Sequence, residues 1–165
     1  AVAAGATLIN DISASLHEVA AETGAGWVAM HMQGAPATMQ DAPHYDDVVA
    51  EVTEHLAERV RVGRAAGIDE IWVDPGIGFG KTAEQSIAVL ARLDRLTSFG
   101  LPLLVGASRK RFIDWVSPAE PQARLGGSIA AHLIAAENGA AIIRTHDVAP
   151  TIQALRVAQA IRSRR

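Results

Sequence analysis

Short apolar runs alternate with longer stretches of helical periodicity along this chain. The apolar runs are bounded by Gly, Pro, Asn or Asp and lack polar alternation, which predicts strands buried on both faces of a sheet. Five such strands are predicted, over residues 8–9, 27–30, 71–73, 103–105 and 141–143. The opening residues 1–5 resemble the last turn of a helix closed by Gly5 and do not include an initiator Met, so we expect the chain to be part of a longer protein.

Helical signals fill the segments between the predicted strands. One helix is predicted over residues 46–66, where four apolar residues recur at helical spacing: Val49, Val52, Leu56 and Val60. A last helix is predicted over residues 151–162.

Two further helix starts are predicted from the capping-box spacing. Thr82 precedes Gln85 by three residues, and Ser117 precedes Glu120 in the same way. The helix after Glu120 is expected to carry its apolar residues at three positions, Leu125, Ile129 and Leu133.

Five strands, each followed by a helix, predict an α/β fold with a parallel sheet. By pattern alone, a five-stranded doubly wound sheet and five-eighths of a (β/α)8 barrel fit equally well. Both folds bind ligands at the carboxyl ends of their strands. Candidate chemistry is therefore sought directly after each predicted strand.

Composition narrows the classes of partner. The 165 residues suit one globular domain, since a chain of about 150 residues buries roughly 68–70% of its unfolded surface. A net charge of −3 without a basic stripe argues against nucleic acid, and no apolar run approaches the ~20 residues of a membrane span. The absence of Cys excludes a disulfide scaffold and thiolate metal sites, and it is compatible with a cytoplasmic location.

The segment after the third predicted strand, residues 74–82, is the densest in candidate chemistry. Three glycines at alternate positions allow close approach of the backbone to a ligand. A nucleotide-triphosphate loop is disfavoured, because its first glycine would fall at Pro75. Asp74 ends a buried strand and must find donors or stay protonated, and a ligand with N–H donors is favoured over a structural partner.

The other strand ends carry polar and basic residues. After the first strand, either Asn10 or Asp11 is expected to make a cap or an Asx turn. His31 after the second strand is interpreted as a structural group rather than a ligand. Residues 109–111 after the fourth strand are three cations, which we interpret as surrounding a cleft mouth. Arg144 and His146 after the fifth strand point to the same side and predict a phosphate clamp.

Five blocks of this sequence resemble the dihydropteroate synthase family, the folate-pathway enzymes that sulfonamides inhibit. The blocks lie at residues 5–11, 30–40, 74–82 (DPGIGFGKT), 105–110 and 144–148. They run in family order at family-like spacing over nearly the whole chain, which makes the combined signal specific. The resemblance implies a TIM (β/α)8 barrel. This chain would supply roughly strands four to eight, as one pterin-binding domain over residues 1–165 that is incomplete on its N-terminal side.

The resemblance also implies substrate contacts. Asn10 and Asp74 would anchor the pterin, Met30 would lie at the pocket floor, and Phe79 would lie near the aromatic amine. Lys110 would reach both the pterin and the amine.

Further contacts concern the diphosphate and the later strand ends. Arg144 would stack on the pterin and hold the diphosphate with His146, and these two residues together with Lys110 are the expected catalytic residues. Gly106, Ser108 and Arg111 complete the expected substrate-binding set.

The reaction implied by the resemblance joins p-aminobenzoate to 6-hydroxymethyl-7,8-dihydropterin diphosphate and releases pyrophosphate. Many family members carry Ser after the lysine, where this chain has Arg111, so the contact to the p-aminobenzoate carboxylate would fall to helix N–H groups or to Arg111. The family's Mg²⁺ is expected to bind mainly through residues of the first three strands, which have no counterpart here. A homodimer is also among the expectations, and the chain on its own is expected to be inactive.

Two alternatives remain at this stage. Pterin-binding methyltransferases share the Asn and Asp anchors, although the blocks around Lys110 and Arg144 argue against them because those enzymes hold no diphosphate there. A pterin-binding paralogue without synthase activity is the other alternative.

Overall fold

The computed structural model describes residues 1–164. Its five strands are β1 (Leu8–Asp11), β2 (Gly26–Met30), β3 (Ile71–Asp74), β4 (Leu104–Val105) and β5 (Ile142–Ile143). Its α-helices are α1 (His17–Thr23), α2 (Val48–Ala65), α3 (Ala83–Ala91), α4 (Asp94–Thr97), α5 (Arg111–Val116), α6 (Leu125–Glu137) and α7 (Val148–Arg162). Every predicted strand is therefore present. The helices α1 and α5 were not predicted, because they are too short for their periodicity to be recognised in the sequence.

The strands lie side by side in chain order. β1, β2 and β3 form one parallel sheet and β4 and β5 another, and a parallel bridge from Val73 to Leu103 connects the two. A doubly wound sheet would reverse this order at its midpoint. The sequential order is that of a (β/α)8 barrel, of which the described residues form an arc that is not closed.

One hydrophobic cluster lies between the helices and one face of the sheet. It contains alternate strand residues, Trp27, Ala29, Ile71, Val73 and Val105, together with residues of α1, α2, α3, α5 and α6. Because side chains alternate across a strand, the residues between these positions point to the opposite, concave face. That face carries the candidate site residues at the carboxyl ends of the strands.

Two of the predicted helix starts can be compared with the structure. At α3, the Thr82 hydroxyl accepts a hydrogen bond from the Gln85 N–H (3.1 Å), and the Gln85 side chain accepts one from the Thr82 N–H (2.8 Å). The capping box predicted at Ser117 is wrong, because Ser117 ends α5 and its N–H donates to the Ile113 carbonyl (2.8 Å). α6 begins only at Leu125, after a 3-10 turn.

Other predictions need correction at the edges of the fold. The core-facing residues of α6 are Ser128, Ala131, His132 and Ala135, whereas Leu125 is exposed. α7 begins before Pro150, which is tolerated in a first helical turn because its missing N–H has no intrahelical partner there. β1 and β5 are only partly buried, because each pairs with a single neighbouring strand.

Candidate active site at the carboxyl ends of the strands

The candidate site is built on alternate residues at the carboxyl ends of all five strands. Met30 and Asp74 are direct partners in the β2–β3 ladder, and Asn10 lies one strand further along. Gly106 follows β4 and Arg144 follows β5. These five positions point away from the helix-packed core, so the parallel topology gathers them on the concave face.

Asp74 is fully buried at the end of β3. Its Oδ1 accepts a hydrogen bond from the Gly76 N–H (2.8 Å), and its Oδ2 lies 2.9 Å from Arg144 Nη2. Burial raises the pKa of Asp74 above its ordinary value, while the Arg144 charge and the Gly76 N–H act in the opposite direction. The sequence favoured a ligand, rather than a protein group, as the partner of Asp74. The structure modifies this prediction, because Arg144 already supplies a countercharge.

Arg144 bridges the two strand ends that were expected to anchor a pterin. Its Nη1 donates to Asn10 Oδ1 (2.8 Å) while Nη2 faces Asp74. Gly106 leaves room for the Arg144 guanidinium, since a Cβ at residue 106 would lie only 2.7 Å from Arg144 Nη2. The guanidinium therefore lies across the end of β4, in a groove that exists because residue 106 has no side chain.

The choice between Asn10 and Asp11 is settled by the structure. Asp11 Oδ1 accepts from the Ser13 N–H (3.0 Å), and Oδ2 accepts from the Leu16 N–H (2.7 Å) and from Trp27 Nε1 (3.0 Å). Asp11 therefore holds the turn after β1 and faces the helices. Asn10, one residue earlier, is exposed on the concave side.

Lys110 stands between two cavities. It lines a cavity of about 350 Å³ together with Phe79, Gly106, Ser108, Arg144, Thr145 and His146. It also lines a larger cavity of about 640 Å³, bordered by Gln40, Gly78 and Arg111 among others. The Lys110 ammonium lies 4.1 Å from the centroid of the Phe79 ring. Burial lowers the pKa of Lys110, and the nearby Arg144 charge lowers it further while Asp74 opposes.

Ser108 holds His146 at the end of β5. The His146 backbone N–H donates to Ser108 Oγ (3.2 Å), and His146 Nδ1 lies 2.9 Å from the same oxygen. Ser108 Oγ thus contacts both the backbone and the ring of His146, which fixes the orientation of a ring that lines the 350 Å³ cavity.

The three consecutive cations after β4 all line the 640 Å³ cavity, as predicted for a cleft mouth, but their side chains have different partners. Arg109 has a left-handed backbone (φ 57°) and its guanidinium contacts both carboxylate oxygens of Asp147, at 2.7 and 3.1 Å. Arg111 is exposed and borders the larger cavity only. Lys110 alone of the three lines both cavities.

Met30 and His31 lie beneath the loop that follows β3. Met30 is fully buried, and the Cγ of its side chain would lie 3.5 Å from a Cβ at Gly76. His31 is also buried and its Nδ1 lies 2.8 Å from Lys81 Nζ. His31 is thus a hydrogen-bonded structural group, as interpreted from the sequence.

Lys81 is the buried residue that the sequence did not single out. Its ammonium contacts the His31 ring and the carbonyl oxygens of Gly76 and Phe79, both at 3.1 Å. The available signal was a lysine inside a glycine-rich turn directly after a buried strand. Its partner His31 is fifty residues away in the chain, so the pairing itself had no local signature.

Among residues 1–164 no group of three His, Cys, Asp or Glu side chains is arranged to hold a metal ion. Near the cavity, Asp74 is engaged by Arg144 and Asp147 by Arg109. The described residues therefore do not fit a magnesium site. No helix in the described part of the chain combines the length and the apolar character that crossing a bilayer requires.

Comparison with known proteins identifies a consistent set of relatives. Residues 1–146 match the family model of pterin binding enzymes. Dihydropteroate synthase of Escherichia coli K12 is 48% identical over 162 residues, which cover 94% of this chain and 57% of the relative. The chain therefore spans less than two thirds of the length of that relative.

Solved structures give the same result for the fold. Xanthomonas albilineans dihydropteroate synthase with 4-aminobenzoic acid superposes with a TM-score of 0.91 at 47% identity, over 98% of this chain and 59% of that one. The same enzyme in complex with 7,8-dihydropteroate gives a TM-score of 0.90 at 46% identity, over 98% of this chain and 61% of that one. The arc of five strands thus matches part of a larger structure.

Proposed function

The chain belongs to the family of pterin binding enzymes, and from that premise we propose that it forms the carboxyl-terminal part of a dihydropteroate synthase. The proposed reaction of the complete protein joins p-aminobenzoate to 6-hydroxymethyl-7,8-dihydropterin diphosphate in folate biosynthesis. Pyrophosphate is released. The 48% identity to the E. coli synthase and the match to a synthase that holds 4-aminobenzoic acid support this substrate class.

One observation carries the proposal. Asn10, Arg144 and Asp74 lie in one line of contacts of 2.8 and 2.9 Å, beside a cavity that Lys110 and His146 also line. A carboxylate and an amide oxygen suit the N–H edge of a pterin ring, whereas a guanidinium and an imidazole suit a diphosphate. Both halves of the proposed substrate therefore find partners within one cleft.

Pterin binding would exchange the partners of Asp74. The 2-amino group and ring N–H of a pterin are donors in the same spatial relation as two N–H groups of a guanidinium. We infer that these ring donors replace Arg144 at Asp74, so that the carboxylate stays paired throughout. The released guanidinium then turns along the 350 Å³ cavity toward the diphosphate.

The chain's residues would act on the charge that develops during transfer. The bond between the pterin methylene carbon and the diphosphate oxygen breaks, with its electron pair leaving on the oxygen. A new bond forms to the amine nitrogen of p-aminobenzoate, which loses one proton. Arg144, once turned toward the diphosphate, and the His146 ring stabilise the departing negative charge, because donors already in position when the bond breaks need no reorganisation at that step. Ser108 contributes by fixing the orientation of the His146 ring.

The amine would enter from the side of the larger cavity. Lys110 lines both cavities, the Phe79 ring beside its ammonium lines the smaller one, and Arg111 borders the 640 Å³ cavity. We assign the p-aminobenzoate carboxylate to Arg111, which takes the place of the Ser present in many family members. Phe79 would then pack against the aromatic ring.

Other expectations remain proposals of the same kind. The magnesium implied by the family would take its main ligands from residues outside this chain. The homodimer and the cytoplasmic location stay predictions.

Pyrophosphate release by the complete gene product tests the proposal. Release that depends on both p-aminobenzoate and the pterin diphosphate, with formation of dihydropteroate, is the expected result. Pterin binding without pyrophosphate release would support the non-catalytic paralogue instead. Methyl transfer to a corrinoid without pyrophosphate release would support the methyltransferase alternative.

A further inference from the structure

Lys81 is a buried lysine without a role in the proposed chemistry. Burial lowers its pKa to about 7, while the Asp74 charge opposes this and the Lys110 charge adds to it. The Lys81 side chain is almost completely enclosed, with 3% exposure of the residue. Its ammonium donates to the Gly76 and Phe79 carbonyl oxygens at 3.1 Å each and lies 2.8 Å from His31 Nδ1. All three partners are neutral acceptors, so this is a set of hydrogen bonds rather than an ion pair.

These hydrogen bonds tie the loop of residues 75–82 to the end of β2. Gly76, Gly78 and Gly80 all have positive φ, at 66°, 76° and 57°. Because glycine has no Cβ, nothing in these residues themselves restricts the backbone to one conformation. The loop therefore needs side-chain hydrogen bonds to keep one conformation. Lys81 supplies two of them, because its ammonium joins the carbonyl at the start of the loop to the carbonyl of Phe79.

Other side chains hold the remaining carbonyls from outside. Tyr45 donates its hydroxyl proton to the Gly80 carbonyl (2.6 Å), and Gln40 Nε2 donates to the Gly78 carbonyl (2.7 Å). Gln40 is exposed, whereas Lys81 acts from inside the loop. Lys81 is thus the interior support of the segment that carries Phe79.

Phe79 connects this support to the candidate catalytic lysine. The Lys110 ammonium lies 4.1 Å from the centroid of the Phe79 ring, and a Cβ at Gly78 would lie 3.2 Å from Lys110 Cδ. A shift of the loop would therefore move the ring away from Lys110. It would also change the boundary between the two cavities that Lys110 lines.

We propose that Lys81 is a positioning residue for the aromatic-amine subsite, holding the loop of residues 75–82 so that Phe79 packs against Lys110 and the incoming amine. The inference rests on the proposed synthase activity and deepens it. Lys81 acts through the loop backbone: although it borders the 640 Å³ cavity, its ammonium is directed to the loop carbonyls and to His31. Burial and the Lys81 charge lower the pKa of His31 to about 3, which keeps Nδ1 a neutral acceptor for Lys81 at neutral pH.

The test uses steady-state kinetics of the complete gene product with Lys81→Met, which keeps the length of the side chain but removes its donors. We expect the KM for p-aminobenzoate to rise about tenfold, since a small misplacement of a binding group has effects of this order or larger. The KM for the pterin diphosphate should change less, because Asp74 itself belongs to β3 and only its hydrogen bond from the Gly76 N–H involves the loop.

Thr82→Val is the matched control. It removes the capping hydroxyl of α3 at the adjacent residue and leaves all three Lys81 partners in place. A purely structural loss should lower the active fraction, and so kcat, in both variants without a selective change in KM. His31→Leu, which removes one of the three acceptors, should raise the same KM by a smaller factor, and it carries the test if Lys81→Met does not fold.

The outcomes separate the two proposals. If the wild type shows no pyrophosphate release that depends on p-aminobenzoate, the proposed function fails and the positioning role fails with it. If the wild type is active but Lys81→Met, or His31→Leu where Lys81→Met does not fold, leaves the KM for p-aminobenzoate unchanged, the positioning role alone is overturned.

Discussion

The Arg144 guanidinium and the Asp74 carboxylate form an ion pair with an Nη2–Oδ2 distance of 2.9 Å, and Asp74 is the buried member. The pair couples the two functions that the site would perform. The residue expected to hold the diphosphate also neutralises the residue expected to hold the pterin. Substitution of either partner should therefore change the binding of both halves of the substrate, in different proportions.

Asp74→Ala should weaken the binding of a pterin that lacks the diphosphate. The ring donors would lose their acceptor inside the cleft, at a cost of about 1–3 kcal/mol, or about tenfold or more in affinity. Calorimetric titration with the pterin alcohol measures this loss. Asp147→Ala is the control, because that carboxylate pairs with Arg109 at the same end of the sheet. Equal affinity of wild type and Asp74→Ala would remove Asp74 from the anchor role.

Arg144→Met should reduce affinity for the pterin diphosphate about tenfold or more, since a hydrogen bond to a charged group contributes about 1.5–3 kcal/mol. The pterin alcohol should lose far less, because its ring donors replace the guanidinium at Asp74 in any case. Parallel titrations of wild type and variant with the two ligands give the ratio of the two losses in affinity. Similar losses for both ligands would contradict the clamp.

Arg111→Met serves as the comparison for that experiment. Arg111 is a neighbouring cation that borders the larger cavity but not the cavity of Arg144 and His146. Its removal should leave the preference for the diphosphate unchanged and raise the KM for p-aminobenzoate.

Much of the site could be predicted because a parallel sheet places its strand ends together. The strand limits and the alternation of side chains sufficed to bring Asn10, Asp74 and Arg144 to one edge. The same reasoning left Asn10 and Asp11 equivalent, since both can make an Asx turn. The contacts of the Asp11 carboxylate with the Ser13 and Leu16 N–H groups and with the Trp27 indole, sixteen residues away, distinguish them.

The pairing of Arg109 with Asp147 could not be predicted either. It depends on a left-handed backbone at Arg109 and on Asp147, which lies thirty-eight residues further along the chain. Likewise, the false capping box at Ser117 has the correct local spacing. It fails because the Ala119 N–H donates to Asp114 and the Ala119 carbonyl accepts from Arg124, which holds the segment as a connection.

Acid should destabilise the folded protein in part through His31. Its pKa is lowered to about 3 by burial, by Lys81 and by His55, against an ordinary value of 6.5. Between these values the unfolded chain binds a proton that the folded chain does not, so stability falls as the pH drops below 6.5 toward 3. The contribution lost by about pH 5 is on the order of 1.5 kcal/mol.

Urea unfolding of the complete protein at neutral pH and at about pH 5 measures this dependence. His31→Leu has no titrating ring, so it should lose less stability than the wild type over the same interval. His44→Leu is the control, because His44 is exposed and lies outside the buried cluster. An identical pH dependence in wild type and His31→Leu would show that His31 is not a source of acid sensitivity.

The 165-residue chain on its own should fold poorly and lack activity. β1 and β5 each leave one edge without a partner, and large apolar residues are exposed on both flanks of the arc: Ile12, Leu16, Val19, Ile152, Val157 and Ile161. Such edges and patches favour self-association. Sedimentation velocity and urea unfolding of the purified chain are the measurements. A monomer that unfolds cooperatively and releases pyrophosphate would contradict this expectation.

A crystal structure of the complete protein with the pterin diphosphate tests the central claim most directly. The account predicts the ring N–H edge within about 2.7–3.2 Å of the Asp74 carboxylate, in the place that Arg144 Nη2 occupies without ligand. Arg144 and His146 should then contact the diphosphate. A ring bound elsewhere, with the Arg144–Asp74 pair still intact, would contradict the account.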